Sequence, residues 1–225
     1  MQPTRMIRSF LAALAIPATL LFVGGSPTVA AQSMPAHSSA ANPGYLVINP
    51  PQQTDSGDKI EVIEVFSYGC IHCAHFQPFV DKWEKSYDKS AVKFSYLPAT
   101  FNPFFKLMAQ GYYAAKSLGV AERTHQQIFD ALFERGVQIR TLDDLADLYA
   151  SLHVDRDAFM NAAKSFFVET ELARSDELSR TYHIEGTPTV VVAGKYSVTG
   201  ESAGGYDKLF AVVDRLVAKE RGAKP

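Results

Sequence analysis

The sequence predicts an α/β protein in which a block of helices interrupts a small β-sheet. Two apolar strand candidates, 60–66 and 92–97, flank an amphipathic helix that begins near Cys70. About 80 residues follow, from Pro103 to about Tyr182, with helical periodicity and no convincing strand. Strand character then returns in a hairpin and a last amphipathic helix. This order predicts one sheet carrying a helical insertion.

Each element has a local signal. The strand candidates, rich in β-branched and aromatic residues, are Tyr45–Ile48, Ile60–Phe66, Val92–Leu97, Thr189–Ala193 and Tyr196–Thr199. The helix candidates are Pro103–Leu118, Ala121–Glu134, Leu142–Leu152, Arg156–Ala163, Phe166–Tyr182 and, last, Tyr206–Lys219. Pro78 predicts a kink in the first helix. Thr141 with Asp144 resembles a capping box, and Gly194-Lys195 is typical of a hairpin turn.

The N-terminal segment has the order of a secretory signal. Two arginines precede an apolar run, Phe10–Val23, and small residues then lead to Ala31. The run is shorter than the roughly 20 apolar residues that a membrane-spanning helix needs. We therefore expect a signal peptide over 1–31, cleaved near Ala31, and a flexible polar linker over 32–43.

The charge of the chain argues against nucleic acid as a partner. Segment 1–31 holds two basic residues and no acidic one, so its removal takes the formal net charge from −2 to −4. A phosphate-binding protein needs concentrated positive charge, and no basic stripe is present in the sequence.

The sequence contains two cysteines, Cys70 and Cys73, separated by two residues. A disulfide between them closes a very small loop, which gives the least stability that loop closure can give. Such a pair is poorly suited to holding a fold together. It is suited to opening and closing.

The start of a helix is a favourable place for a reactive thiol. Unpaired backbone N–H groups and the helix dipole stabilise the thiolate there, and the thiolate is the attacking species. We expect Cys70 to form the mixed disulfide with a substrate and Cys73, one turn further in, to resolve it. His72 adds a donor or partial positive charge near the Cys70 sulfur. Stabilising the reduced form in this way favours an oxidant over a reductant.

Other uses of the pair fit less well. A zinc site built on Cys70, Cys73 and His72 or His75 lacks a second ligand pair, so no metal is expected. Covalent haem attachment requires a histidine directly after the second cysteine, where Ala74 stands. A purely structural disulfide is disfavoured by its loop size. No cofactor is therefore expected.

Two further features lie outside the cysteine pair. Glu64 interrupts an apolar strand and shares a face with Val62 and Phe66; if buried, it has a raised pKa and exchanges a proton with Cys73. The alternative is an edge or surface glutamate. Thr187-Pro188 precedes a later strand, where a cis bond would expose backbone to an extended substrate. The alternative is an ordinary trans proline.

Together these residues resemble the DsbA family of periplasmic thiol:disulfide oxidoreductases, from about Tyr45 to Lys219. A strand that leads into a helix with Cys-x-x-Cys at the join is already typical of a thioredoxin-like unit. The specific pieces are Glu64–Cys73 (EVFSYGCIHC), the inserted helices, and Gly186–Thr189 followed by Gly194–Tyr196.

The resemblance implies a thioredoxin-like fold with an inserted all-helical domain at 102–182, flanked by 44–101 and 183–225. It implies Cys70 as nucleophile, Cys73 as resolving thiol, Glu64 as buried acid, and Thr187-Pro188 as a cis-proline loop that binds substrate.

The resemblance also implies partners and a place. We expect a periplasmic monomer that oxidises reduced, folding exported proteins and is reoxidised by a membrane quinone-linked partner of the DsbB type. The alternatives are an isomerase or reductase of the same fold, or a non-redox periplasmic chaperone. An isomerase is disfavoured because only about 20 residues separate the linker from the core strand, too few for a dimerisation domain.

Two positions depart from the family pattern. Ile71 stands where many members have proline, which affects the redox potential or the substrate surface. Tyr96 holds the place where members often carry a lysine that faces the buried acid. Lys93, three residues away, points to the other face of its strand.

Overall fold

The computed structural model describes residues 43–223, which belong to one compact unit. The predicted signal peptide, 1–31, and all but the last residue of the predicted linker, 32–43, lie outside the described residues. No helix within the described part of the chain is long and apolar enough to span a membrane.

In the described part of the chain, five strands form a single mixed sheet, as the sequence predicts. They are β1 (Leu46–Val47), β2 (Ile60–Phe66), β3 (Val92–Pro98), β4 (Thr189–Val192) and β5 (Tyr196–Val198). Their order across the sheet is β1-β5-β4-β2-β3. Only β2 and β3 run parallel, because a helix connects them; β4 pairs antiparallel to β2, and the hairpin at Gly194-Lys195 joins β4 to β5.

Eight helices accompany the sheet within residues 43–223. They are α1 (Ile71–Glu84), α2 (Pro103–Ser117), α3 (Ala121–Phe133), α4 (Leu142–Ser151), α5 (Arg156–Ala163), α6 (Phe166–Thr181), α7 (Gly200–Ala203) and α8 (Tyr206–Ala223). The predicted bounds of α2 to α6 are correct to within one residue. The helix α8 continues four residues past the predicted end, and α1 runs on through Pro78.

Side-chain caps explain why the inserted helices begin where they do. Asn102, Asp155 and Ser165 accept hydrogen bonds from backbone N–H groups at the starts of α2, α5 and α6. The predicted capping box of α4 is present, with Thr141 and Asp144 bonding each other's backbone. The short helix α7 was not predicted, because four residues are too few to show helical periodicity.

The core has three parts. One face of the sheet packs on α1 and α8 through Val62, Phe76 and Val80, among others. The opposite face forms a smaller cluster that includes Ile63 and Val65. The third part joins the inserted helices to the active-site end of the sheet. The structure thus has a thioredoxin-like sheet with inserted helices; the exact boundaries 44–101, 102–182 and 183–225 stay a prediction.

We predict that Gly111→Ala destabilises the protein by about 1–3 kcal/mol, because it overpacks the contact between α2 and α4. An added Cβ would lie 2.5 Å from Cδ2 of Leu145, a fully buried side chain, so that the side chain or the helix must shift. Urea unfolding measures the effect. The control is Gly222→Ala in α8, where nothing lies within 4 Å of the added Cβ and stability should not fall. Equal unfolding midpoints for Gly111→Ala and the wild type would contradict this packing.

Candidate active site

Cys70, the predicted nucleophile, lies in the turn that connects β2 to α1. The strand β2 ends at Phe66, and the Cys70 N–H donates to the Ser67 carbonyl at 3.0 Å, forming a tight turn. The Gly69 N–H donates to Ser67 Oγ at 3.1 Å. Cys70 is then the N-cap residue of α1, as predicted. A side chain at Gly69 would collide with the Phe104 ring, which an added Cβ would approach to 2.6 Å.

The environment of Cys70 favours its thiolate. Cys70 is half-buried, and the Cys73 side chain lies beside it. A hydrogen bond from the Cys73 side chain is the main factor that lowers the pKa of Cys70 to about 5. The Thr187 side chain and the backbone N–H groups of Cys73 and His72 lower it further, against the opposing effect of burial.

Cys73 has the opposite character. Its side chain is completely buried in the cluster that joins the sheet to the inserted helices. Burial raises its pKa far above that of an ordinary cysteine, and the nearby charges of Glu64 and Cys70 raise it further. The two thiols, one turn apart, therefore differ sharply in acidity: one is an accessible anion and the other a buried, protonated thiol.

The loop 186–189 lies directly against the nucleophile. The Thr187–Pro188 peptide bond is cis, and the Cys70 sulfur lies 3.4 Å from the Thr187 carbonyl oxygen. The Thr189 hydroxyl donates to the Gly186 carbonyl at 2.8 Å and closes the loop. The structure thus brings together two distant predicted segments, so that the backbone of this loop borders the reactive sulfur.

An open, mostly apolar cleft of about 810 Å³ extends from this loop. His72, Thr187 and Pro188 are among the residues that line it. It is also lined by Leu46 and Val47 of the edge strand β1, which are 65% and 67% exposed. Exposed apolar side chains on a sheet edge next to a reactive site are suited to contact with another polypeptide.

Glu64 lies inside the protein, on the face that the sequence predicts. Only 1% of its surface is exposed, and no described protein group is within hydrogen-bonding distance of either carboxylate oxygen. Burial raises its pKa well above the usual value, and the charges of Glu84, Asp81 and Cys70 add to this. The raised pKa favours the protonated carboxyl, the form that a proton donor to Cys73 requires.

Tyr96 occupies the register position opposite Glu64 on the parallel strand β3. Its hydroxyl accepts a hydrogen bond from Gln77 Nε2 at 3.1 Å. Lys93 points away from this face, and its ammonium donates to the Asp55 carbonyl at 3.0 Å. The neutral side chains of Tyr96 and Gln77 thus occupy the place where the resemblance to the family predicts a lysine.

The two histidines near the cysteines are exposed. His72 acts on Cys70 through its backbone N–H, and its side chain lines the apolar cleft. His75 points to solvent. Within residues 43–223, no three potential metal ligands come close enough together to hold an ion.

A buried polar cluster that was not predicted from the sequence lies on the other side of the cysteine pair. His125 of α3 is 6% exposed and bonds both Tyr68, in the turn before Cys70, and Gln77, in α1. The period of α3 could have identified His125 as core-facing, since Ile128 and Phe129 follow at three and four residues. Its partners could not be read from the sequence.

Comparison with known proteins agrees with this geometry. Residues 95–216 match the family model of the DSBA-like thioredoxin domain. The chain is 34% identical over 191 residues to the thiol:disulfide interchange protein DsbA of Azotobacter vinelandii, covering 85% of this chain and 82% of the relative. It is also 34% identical over 222 residues to DsbA of Bordetella parapertussis, covering 98% and 100%.

Solved structures show the same fold. The crystal structure of Pseudomonas aeruginosa DsbA superposes with a TM-score of 0.77 at 32% identity, covering 80% of this chain and 93% of that chain. DsbA from Xylella fastidiosa superposes with a TM-score of 0.74 at 35% identity, covering 80% and 96%. Fold, sequence and the cysteine pair at the start of α1 lead to one conclusion: the chain belongs to the DsbA family of thioredoxin-like thiol:disulfide oxidoreductases.

Proposed function

We propose that this enzyme is a dithiol oxidase that transfers a Cys70–Cys73 disulfide to thiol-containing proteins. The observation that carries the proposal is the contrast in acidity between the two cysteines. The pKa of Cys70 is lowered to about 5, so the reduced enzyme is stabilised as an anion at neutral pH. A stabilised reduced form makes the disulfide form a strong acceptor of electrons.

The reaction proceeds in two exchanges. A substrate thiolate attacks the exposed Cys70 sulfur; the Cys70–Cys73 bond breaks, and Cys73 leaves as a thiolate that takes up a proton. A second substrate thiolate then attacks the substrate sulfur of the mixed disulfide. Cys70 leaves as a stable thiolate, the substrate gains a disulfide, and the enzyme has gained two electrons.

Glu64 is the proposed source of the proton that Cys73 takes up. It lies on the strand that leads into the active-site turn, and the charge of Glu64 is among the factors that act on the pKa of Cys73. Its own raised pKa favours the protonated form, which can donate to the Cys73 thiolate. In reoxidation the transfer reverses: Glu64 accepts the Cys73 proton, so that Cys73 can attack a mixed disulfide at Cys70.

The proposed substrate surface is the loop at Thr187-Pro188 with the apolar cleft beside it. The Thr187 backbone can pair with an extended chain that carries the attacking cysteine, and the cleft accepts neighbouring apolar side chains. Unfolded or folding proteins present both features. The substrates are therefore reduced exported proteins, in accord with the predicted signal sequence.

The remaining parts of the proposal concern the setting. The enzyme works in the periplasm as a monomer and is reoxidised by a membrane quinone-linked protein of the DsbB type. The main alternative is a reductase or isomerase of the same fold. It would require a reduced form less stabilised than one whose Cys70 has a pKa of about 5. A non-redox chaperone would keep its function without the cysteine pair.

A redox titration of the purified protein tests the proposed direction of reaction. We expect a potential well above that of thioredoxin, together with a thiolate absorbance that disappears on acidification with a midpoint near pH 5, the pKa of Cys70. The control is Cys70→Ser, which should lose this absorbance change. A potential as reducing as that of thioredoxin would contradict the proposed oxidase function and would favour a reductase.

Serine variants test the roles of the two cysteines. Cys70→Ser should abolish oxidation of a reduced substrate protein, because no accessible sulfur remains. Cys73→Ser should accumulate a covalent adduct with a substrate protein that carries a disulfide, because the Cys70 thiolate attacks that disulfide, one substrate sulfur leaves as a thiolate, and no Cys73 thiol is present to release the adduct. Non-reducing gel electrophoresis detects it. If both variants lose activity and neither yields an adduct, the assigned order of attack is wrong.

The pH dependence of stability tests the burial of Glu64. An acid whose pKa is raised in the folded state destabilises that state increasingly as pH rises above its unfolded value, near 4.5. Glu64→Leu should therefore raise the unfolding free energy by about 1–3 kcal/mol at pH 8. The gain should be smaller at pH 5, where the wild-type carboxyl is more protonated in the unfolded state. A control is Glu177→Leu on exposed α6 surface; a gain independent of pH for Glu64→Leu would refute the raised pKa.

A further inference from the structure

His125 sits in an aromatic box formed by five rings. The surrounding side chains are Phe66, Tyr68, Tyr96, Tyr112 and Phe129, whose ring centroids lie between 4.5 and 6.5 Å from that of His125. Two of these residues flank the active-site turn, two belong to the inserted helices, and one lies on β3. A polar ring in such a place must have partners for both nitrogens, because an unpaired buried polar group is costly.

Both nitrogens of His125 do have partners, and the donor of each bond can be assigned. Gln77 Nε2 donates to Asp81 Oδ1 at 2.7 Å and to the Tyr96 hydroxyl, so Gln77 Oε1 is the acceptor. His125 Nε2–H therefore donates to Gln77 Oε1 at 3.0 Å. His125 Nδ1 then accepts from the Tyr68 hydroxyl at 2.9 Å.

These two bonds join opposite sides of the cysteine pair. Tyr68 stands in the turn two residues before Cys70, and Gln77 stands in α1 one turn beyond Cys73. The imidazole of His125, carried by α3, thus holds the turn before Cys70 and the helix after it at a fixed separation. No other described residue hydrogen-bonds the side chains of both segments.

His125 acts through its geometry and not through charge. Burial lowers its pKa to about 3, so the ring is neutral at the pH values where thiol exchange occurs. It does not contact the reacting sulfur atoms in the hydrogen-bond network, and it is therefore not a catalytic residue.

We propose that His125 is a positioning residue that keeps the Cys70 sulfur aligned with the groups that stabilise its thiolate. Those groups are the Cys73 thiol and the backbone N–H groups of the first turn of α1, and their alignment depends on how the turn meets the helix. The inserted helices thereby set the oxidising strength of the thioredoxin-like active site. This inference rests on the proposed function of Cys70.

The test is His125→Phe, measured by the pH profile of thiolate absorbance and by the redox equilibrium with glutathione. Phenylalanine keeps an aromatic ring in the box but removes both hydrogen bonds. We expect the pKa of Cys70 to rise by about 0.5–1. This is the pKa change that corresponds to the free energy of one typical hydrogen bond. The redox equilibrium should shift several-fold toward a weaker oxidant.

A matched control separates positioning from general stability. Tyr113→Phe removes a buried hydrogen bond between Tyr113 and Ser175, 2.5 Å long, within the same inserted helices. It should lower the unfolding midpoint yet leave the pKa of Cys70 and the redox equilibrium unchanged. An equal shift of the pKa of Cys70 in this control would overturn the proposal, because loss of stability alone would then suffice.

A second variant keeps the test decisive if His125→Phe does not fold. Tyr68→Phe removes the bond to Nδ1 alone and should raise the pKa of Cys70 by a smaller amount in the same direction. A folded His125→Phe protein, or failing that a folded Tyr68→Phe protein, with an unchanged pKa and redox equilibrium overturns the proposal. A wild-type enzyme whose Cys70 has the pKa of a free cysteine refutes the proposed function itself, and so the two failures are distinguishable.

Discussion

The hydrogen bond between the Cys73 thiol and the Cys70 sulfur is the interaction on which the chemistry of this protein depends. It can form only while Cys73 keeps its proton, and Cys73 keeps its proton because it is completely buried. Burial of one sulfur thus sustains the anionic form of the other. Two identical side chains separated by two residues become a nucleophile and a resolving thiol through their surroundings alone.

That burial is a joint product of the sheet and the inserted helices. Phe66, at the end of β2, and Met108 and Tyr112, on α2, belong to the same core cluster as Cys73. A thioredoxin-like sheet without the insertion would leave this side of α1 uncovered. The helices therefore complete the active site, and the Glu64 carboxyl shares the same dry environment.

The sequence predicts most of the features that are determined by residues close together in the chain. The cysteine pair at the start of a helix, the lone carboxylate in an apolar strand and the helix caps are each encoded within about ten residues. The resemblance to the family placed Tyr96 opposite Glu64, and the register of β2 and β3 confirms that position. The contacts of His125 could not be predicted, since they join α3 to residues 57 and 48 positions earlier in the chain. The end of α8 was missed because its last turns carry no strong apolar period.

The N-cap position of Cys70 has a consequence for the energy of the whole protein. In α2, α4, α5 and α6 the corresponding residue satisfies the first turn with a neutral or acidic oxygen, whereas Cys70 makes no side-chain cap hydrogen bond. Only its thiolate can neutralise the positive end of α1. Forming the disulfide removes that charge, so every cycle of oxidation leaves the helix uncapped. A serine or aspartate cap at this position would strengthen the start of α1 but would remove the nucleophile. The weaker start of α1 in the disulfide form favours reduction of the enzyme.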